Sequence, residues 1–179
     1  APDNMSRAKY AAVRERSVGL GVMGLHSYLQ QKRVPLESAM AKSLNMRIFK
    51  HIKTLADRAS REMAVELGPC PDAADFGIAE RFSNKLAIAP TASISIICGG
   101  ASPGIEPFAA NSYVHKTLSG SFNVRNKHLT KLLQEKGRDT DEIWSSIVSN
   151  EGSVQHLGCL TQNEKDVFKT AFEIDQRWL

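Results

Sequence analysis

The sequence predicts a helix-rich α/β fold. Apolar residues recur at spacings of three and four throughout residues 37–67, which is typical of one long amphipathic helix. Extended structure is expected in two places: a short apolar stretch at residues 85–89, and residues 111–125, which carry β-branched and aromatic residues. With 179 residues, 42% of them hydrophobic, the chain can bury one sizeable core. We therefore expect residues 1–179 to form a single domain.

The first third of the sequence predicts three helices, at residues 4–16, 18–33 and 37–67. The second is apolar enough to be buried. It should end before Pro35, because a residue that precedes proline avoids helical geometry. The third should stop at Gly68 and Pro69, which cannot continue a helix well.

The middle of the sequence predicts extended structure. A short link over residues 76–82 leads into a strand at residues 85–89, which ends at Pro90. Beyond Pro107 two extended segments are predicted, joined by a tight turn at Ser119 and Gly120; they are residues 111–118 and 120–125.

Three further helices with clear boundary signals are predicted in the C-terminal third. The first covers residues 128–136 and is stopped by Gly137. The second is capped by Thr140. The last begins at Thr161, whose spacing to Glu164 fits a capping box, and its apolar pattern runs through Ile174.

Charge and cysteine usage argue against several classes of protein. The net charge of +4 is modest and the basic residues are scattered, so a nucleic-acid-binding face is not expected. No apolar run reaches the ~18 to 20 residues of a membrane span, and the N-terminus does not resemble a signal peptide, so we expect a soluble cytoplasmic protein.

Cys70, Cys98 and Cys159 are widely spaced, which disfavours disulfides and a zinc site. Each should be a buried or half-buried apolar residue.

Gly19, Gly21 and Gly24 match the dinucleotide-binding pattern G-x-G-x-x-G letter for letter. That pattern has meaning only directly after a hydrophobic strand, whereas residues 14–17 are charged or polar. The preferred interpretation is that the glycines let a helix lie close to a neighbouring element. A nicotinamide-dependent oxidoreductase remains as an alternative.

Residues 90–95, here called the hydroxyl loop, have the composition of an anion site. Small and hydroxyl-bearing residues follow Pro90 and precede an apolar run that could begin a helix. Backbone N–H groups at a helix start have no internal partner and attract phosphate. The alternative is that Thr91 or Ser93 simply caps the helix.

The hydroxyl loop, with Gly104-Ile105-Glu106-Pro107 downstream, resembles the substrate-phosphate loop of the ribonucleotide reductase large (catalytic) subunit. Residues 14–24 and 68–71 resemble the same family in the same order. The resemblance implies part of the ten-stranded α/β-barrel that this family shares with glycyl-radical enzymes. Because the chain lacks an initial Met and stops within a helical pattern, we expect a fragment from the C-terminal half of that subunit.

The resemblance also implies the site residues. Substrate diphosphate would be held through backbone N–H groups and hydroxyls of the loop, by Thr91, Ala92, Ser93, Ile94 and Ser95. Pro90 and Glu106 would support the shape of the loop. Ile94 stands where other members carry a hydroxyl residue, so only its N–H group is expected to contribute.

The family's chemistry is the replacement of a ribose 2′-hydroxyl by hydrogen, and it uses a thiyl radical, a carboxylate and two reducing cysteines. The chain has no Asn-x-Cys-x-Glu motif, and its three cysteines match none of the family's catalytic ones. We therefore assign it no catalytic residue, metal ligand or cofactor of its own, and expect no activity from it alone. The complete enzyme would need a dithiol reductant and a radical generator, either a metal-containing small subunit or adenosylcobalamin.

The expected partners follow from the same resemblance. They are a ribonucleoside diphosphate, the remaining segments of the large subunit, a radical-generating small subunit and a second large subunit. Neither nucleic acid nor a membrane is expected. The alternative function is a stand-alone nucleotide- or phosphate-binding module without chemistry.

Overall fold

The computed structural model describes residues 4–117 and 120–178. Its helices and strands, in chain order, are α1 (Ser6–Glu15), α2 (Leu25–Gln31), α3 (Ala39–Leu67), α4 (Pro71–Asp75), α5 (Ala92–Ile97), β1 (Ser112–Thr117), β2 (Gly120–Arg125), α6 (Lys127–Glu135), α7 (Asp141–Ser149) and α8 (Gln162–Val167), followed by a 3₁₀ helix (Gln176–Trp178). The predicted helix-rich α/β class is confirmed. Over the described residues no helix combines the length and the apolar character needed to cross a membrane.

Two compact units make up the chain, each from two separate segments. Unit 1 contains the chain up to Val22 together with Leu44–Ala89, and unit 2 contains Met23–Ser43 together with the chain from Pro90 onward. In unit 1 α1 and α4 are joined by Arg14, whose Nε lies 2.6 Å from an Asp72 carboxylate oxygen. Helix α3 has nearly its predicted bounds and ends at Gly68, where a φ of 77° breaks the helical path.

Residues 17–22 of unit 1, here called the glycine segment, are extended rather than helical. Leu20 forms a parallel bridge with Leu86: its N–H group donates to the Lys85 carbonyl at 3.0 Å, and its carbonyl accepts from the Ala87 N–H group at 3.2 Å. The predicted helix over residues 18–33 is therefore wrong in its first part, since α2 begins only at Leu25.

The close approach predicted for the glycines is confirmed, but it occurs between two extended segments. A Cβ atom on Gly19 would lie 2.8 Å from the Cβ of Ala87, and one on Gly21 would lie 2.5 Å from the Ala87 carbonyl oxygen. Any larger residue would push the two segments apart. The strand predicted at residues 85–89 is limited to the bridge at Leu86, and Ile88 beyond it is 74% exposed.

In unit 2 the predicted pair of extended segments forms an antiparallel hairpin. Ser112 of β1 pairs with Arg125 of β2, and the pairing continues to Thr117 opposite Gly120. The turn predicted at Ser119 lies outside the described residues.

The main core of unit 2 is formed by α6, α7, α8 and the turns between α7 and α8. Its buried members are Leu129, Leu132, Leu133, Trp144, Ile147, Val154, Leu157, Leu160, Val167 and Phe168. The helix boundary signals read from the sequence are confirmed: Thr140 caps α7, and Thr161 with Glu164 forms a complete capping box on α8.

Helix α8 is shorter than predicted, because it ends at Val167. Tertiary hydrogen bonds replace the helical ones beyond this point. The Phe168 carbonyl accepts from the Asn111 side-chain amide at 2.7 Å, and the Ala171 N–H group donates to the Phe108 carbonyl at 2.8 Å. These partners lie far away in sequence, so the local apolar pattern could not reveal them.

The three cysteines are free thiols. Cys70 is buried and Cys159 is half-buried, as predicted, whereas Cys98 is exposed, so the prediction is wrong for Cys98.

Candidate functional site

The hydroxyl loop begins helix α5, and Thr91 is its N-cap residue with a φ of 50°. A β-branched residue rarely adopts this left-handed conformation, because its side chain crowds the backbone. Such a conformation costs about 1 to 3 kcal/mol and persists only when the surrounding structure imposes it. Thr91 is therefore a strained residue at the position that the sequence singled out.

The first three N–H groups of α5 are available to a ligand. Among the described residues no hydrogen bond uses the N–H groups of Ala92, Ser93 or Ile94, and all three residues are exposed. This is the usual situation in the first turn of a helix, where the backbone donors carry partial positive charge.

Ser95 differs from the residues before it. It is 3% exposed, its N–H group donates to the Thr91 carbonyl at 2.9 Å, and its hydroxyl donates to the Ala92 carbonyl at 2.9 Å. Both of its donors are used inside unit 2. Ser95 thus stabilises the first turn of α5, and its N–H and hydroxyl donors are not free for a ligand.

Two sequence motifs meet at Thr91. The Gly104 N–H group donates to the Thr91 Oγ1 at 2.7 Å, which joins the hydroxyl loop to the segment Gly104-Ile105-Glu106-Pro107. Because Oγ1 acts as the acceptor, its own hydrogen remains free to donate elsewhere.

This contact is one support of the hydroxyl loop, and the support predicted from Glu106 stays a prediction. Glu106 is exposed, and no hydrogen bond among the described residues reaches its carboxylate. Pro90, the other predicted support, is also exposed and directly precedes the loop.

The helix that follows the glycine motif has its first donors occupied. The Leu25 N–H group donates to the Gly104 carbonyl at 3.5 Å, and the Ser27 N–H group donates to the Ser102 hydroxyl at 3.2 Å. A dinucleotide site needs those donors free for the pyrophosphate. The motif's first two glycines also lie within the extended segment itself, not in a turn after it. These contacts argue against the nicotinamide alternative.

His26 on α2 holds the chain just beyond Pro107. His26 is 1% exposed, and its Nδ1 accepts from the Phe108 N–H group at 3.0 Å. Burial of the ring, together with the charge on His128, lowers the pKa of His26 to about 4. The native state therefore holds this imidazole neutral.

We expect the free energy of unfolding to fall as the pH falls from 6.5 towards 4. Between pH 6.5 and pH 4 the His26 ring is protonated in the unfolded state but stays neutral in the native state. Above pH 6.5 the ring is neutral in both states. The expected loss between pH 7 and pH 5 is roughly 2 kcal/mol. Urea denaturation at pH 7 and at pH 5 measures this loss. In His26→Asn the free energy of unfolding should differ less between the two pH values.

His51→Asn, at an exposed histidine of α3, is the matched control and should leave the pH dependence unchanged. Burial also lowers the pKa of His128, with Lys127 as a second cause, so a smaller pH dependence should remain in His26→Asn. Equal losses of stability in His26→Asn and the parent chain would contradict the assignment.

Comparison with known proteins identifies the class of protein to which this fold belongs. A family model described as the barrel domain of ribonucleotide reductase matches residues 2–79 and 73–179. The alpha subunit of the class Id ribonucleotide reductase from Actinobacillus ureae superimposes with a TM-score of 0.88 at 44% identity, over 99% of this chain and 32% of that one. The fold therefore matches part of the ribonucleotide reductase barrel domain.

Curated relatives agree with this class. The ribonucleoside-diphosphate reductase large subunit of Invertebrate iridescent virus 6 is 46% identical over 100% of this chain and 19% of its own length. The large subunit from Caenorhabditis elegans is 32% identical over 97% of this chain and 26% of its own length. The chain belongs to the ribonucleotide reductase large-subunit family, and it spans about a fifth to a third of the relatives it matches. The resemblance read from its motifs is confirmed.

Sequence reasoning missed the buried residues that hold residues 102–108 against α2. Ser27, Ser102 and His26 are buried and connect α2 to residues 102–108, but isolated serines and a single histidine carry no periodic or motif signal. No group of three or more His, Cys, Asp or Glu residues that could hold a metal ion occurs in the described ranges.

Proposed function

We propose that this chain is part of the large subunit of a ribonucleoside-diphosphate reductase and that its hydroxyl loop binds the diphosphate of the substrate. The observation that carries the proposal is the set of free N–H groups at Ala92, Ser93 and Ile94, directly after the strained Thr91. Their helix start favours an anion. The hydroxyls of Ser93 and Thr91 can add donors, and Ser95 supports the turn from inside.

The complete enzyme requires more than this chain holds. We propose that the chain is one part of a single barrel domain and that the other segments of the large subunit supply the catalytic cysteines. A radical-generating partner, either a metal-containing small subunit or adenosylcobalamin, and a dithiol reductant complete the reaction. A second large subunit is a further proposed partner, and the cytoplasm is the proposed compartment.

Ser93→Ala in the complete large subunit should raise KM for the ribonucleoside diphosphate by about tenfold, the equivalent of one charge-assisted hydrogen bond. The turnover number should change much less, because a phosphate contact is equally strong in the ground state and in the transition state. Steady-state kinetics with saturating reductant separate the two parameters.

The matched control is Ser145→Ala. Ser145 is also an exposed helical serine, and no hydrogen bond among the described residues involves its side chain. This variant should behave as the parent enzyme. An unchanged KM in Ser93→Ala would contradict the proposed diphosphate site.

A further inference from the structure

Residues 101–104 form a strut between the start of α2 and the start of α5. The Ser102 carbonyl accepts from the Gly24 N–H group at 2.8 Å, at the beginning of α2. At the other end, the Gly104 N–H group reaches Thr91 and the Ala101 N–H group donates to the Ser95 carbonyl at 3.0 Å. The strut thus touches both the N-cap residue and the first turn of α5.

The strut is fastened by a reciprocal pair of serines. The Ser102 N–H group donates to the Ser27 hydroxyl at 2.8 Å, and the Ser27 N–H group donates to the Ser102 hydroxyl at 3.2 Å. Ser102 is 0% exposed and Ser27 is 7% exposed. Each hydroxyl therefore satisfies a buried backbone donor that water cannot reach, and neither side chain can be truncated without leaving such a donor unpaired.

We propose that Ser102 and Ser27 are positioning residues for substrate binding, which act through Gly104 and Thr91 on the hydroxyl loop. This inference rests on the proposed function of that loop. Thr91 keeps its left-handed conformation because the strut holds Gly104 against its hydroxyl. If the strut shifts, Thr91 relaxes and the N–H groups after it no longer converge on one diphosphate.

The test uses the complete large subunit with its radical generator and reductant. Ser102→Ala should raise KM for the ribonucleoside diphosphate roughly three- to tenfold, with a smaller change in kcat. Inorganic pyrophosphate serves as a second probe, as a competitive inhibitor. Its inhibition constant should rise by the same factor as KM, because the same loop binds both molecules.

Ser27→Ala removes the other half of the pair and carries the test if Ser102→Ala does not fold. The double variant should raise KM at least as much as the more affected single variant, since both hydrogen bonds hold the same strut. A simple loss of folded enzyme would lower kcat and leave both KM and the pyrophosphate constant unchanged.

Ser60→Ala is the matched control. Ser60 is also 0% exposed, and its hydroxyl accepts from the N–H groups of Arg81 at 3.1 Å and Phe82 at 3.3 Å, but it belongs to unit 1. It should lose stability without a change in KM. Parent-like KM and pyrophosphate constants in Ser102→Ala and Ser27→Ala, beside a raised KM in Ser93→Ala, would overturn the positioning role and leave the loop's function intact. If Ser93→Ala is unaffected as well, the proposed function itself fails.

Discussion

Residues 1–179 alone are expected to form no deoxyribonucleotide, although they carry the proposed diphosphate loop. A thiyl-radical reaction needs the radical cysteine, a carboxylate and two reducing thiols around one ribose, and this chain lacks the Asn-x-Cys-x-Glu motif. Well-oriented groups contribute effective concentrations of roughly 10⁵ to 10⁸ M, so their absence should bring turnover below detection. Activity should return when the remaining large-subunit segments are added, as one chain or as complementing pieces, together with the radical generator.

The experiment measures how much deoxyribonucleotide is formed when a dithiol reductant is added. The control is the same reconstitution with the radical cysteine of the added segments replaced by serine, which should stay inactive. Deoxyribonucleotide made by the chain alone would contradict the prediction. Pyrophosphate binding by the chain without restored turnover in any reconstitution would favour the alternative of a phosphate-binding module.

Gly152→Ala should destabilise the chain by roughly 2 to 5 kcal/mol, the sum of a left-handed backbone cost and a steric one. Gly152 has a φ of 81° in the turn after α7. An added Cβ would lie 2.3 Å from the Cβ of Ala110 and 2.8 Å from its Cα. The clash would also disturb Asn111, whose backbone and side-chain N–H groups both donate to the Gly152 carbonyl at 3.1 Å.

Urea denaturation of the chain, followed through the buried Trp144, measures the change. Gly137→Ala is the matched control: Gly137 also ends a helix in the left-handed region, with a φ of 63°, but an added Cβ would meet nothing within 4 Å. It should cost only about 1 kcal/mol. Similar losses at the two glycines would show that the contact with Ala110 can relax.

Local signals in the sequence predicted most of the helices well. The period of residues 37–67 gave α3 to within two residues, and the caps at Thr140 and Thr161 marked the starts of α7 and α8. These signals work because helical periodicity and capping act between residues three or four positions apart. The hairpin of β1 and β2 was predicted for a similar reason, since β-branched and aromatic residues flanked a predicted turn.

The predictions failed where distant contacts decide the conformation. Residues 18–24 have no side-chain pattern that distinguishes a glycine-rich helix from an extended segment, and the outcome depends on pairing with residues 84–87. Likewise α8 stops at Val167 because Asn111, 57 positions from Phe168, takes the Phe168 carbonyl.

The candidate site shows the same division. By itself the sequence determined the helix-rich α/β class, the family motifs and the hydroxyl loop, because these depend on residue type and short spacing. Only the tertiary structure decided which groups of that loop are free and which residues hold it. Thr91 and Gly104 are 13 positions apart, and Ser27 and Ser102 are 75 apart. Hydrogen bonds between residues so far apart in sequence depend on where the chain folds back. The type of a single serine or glycine does not indicate which distant residue it will contact.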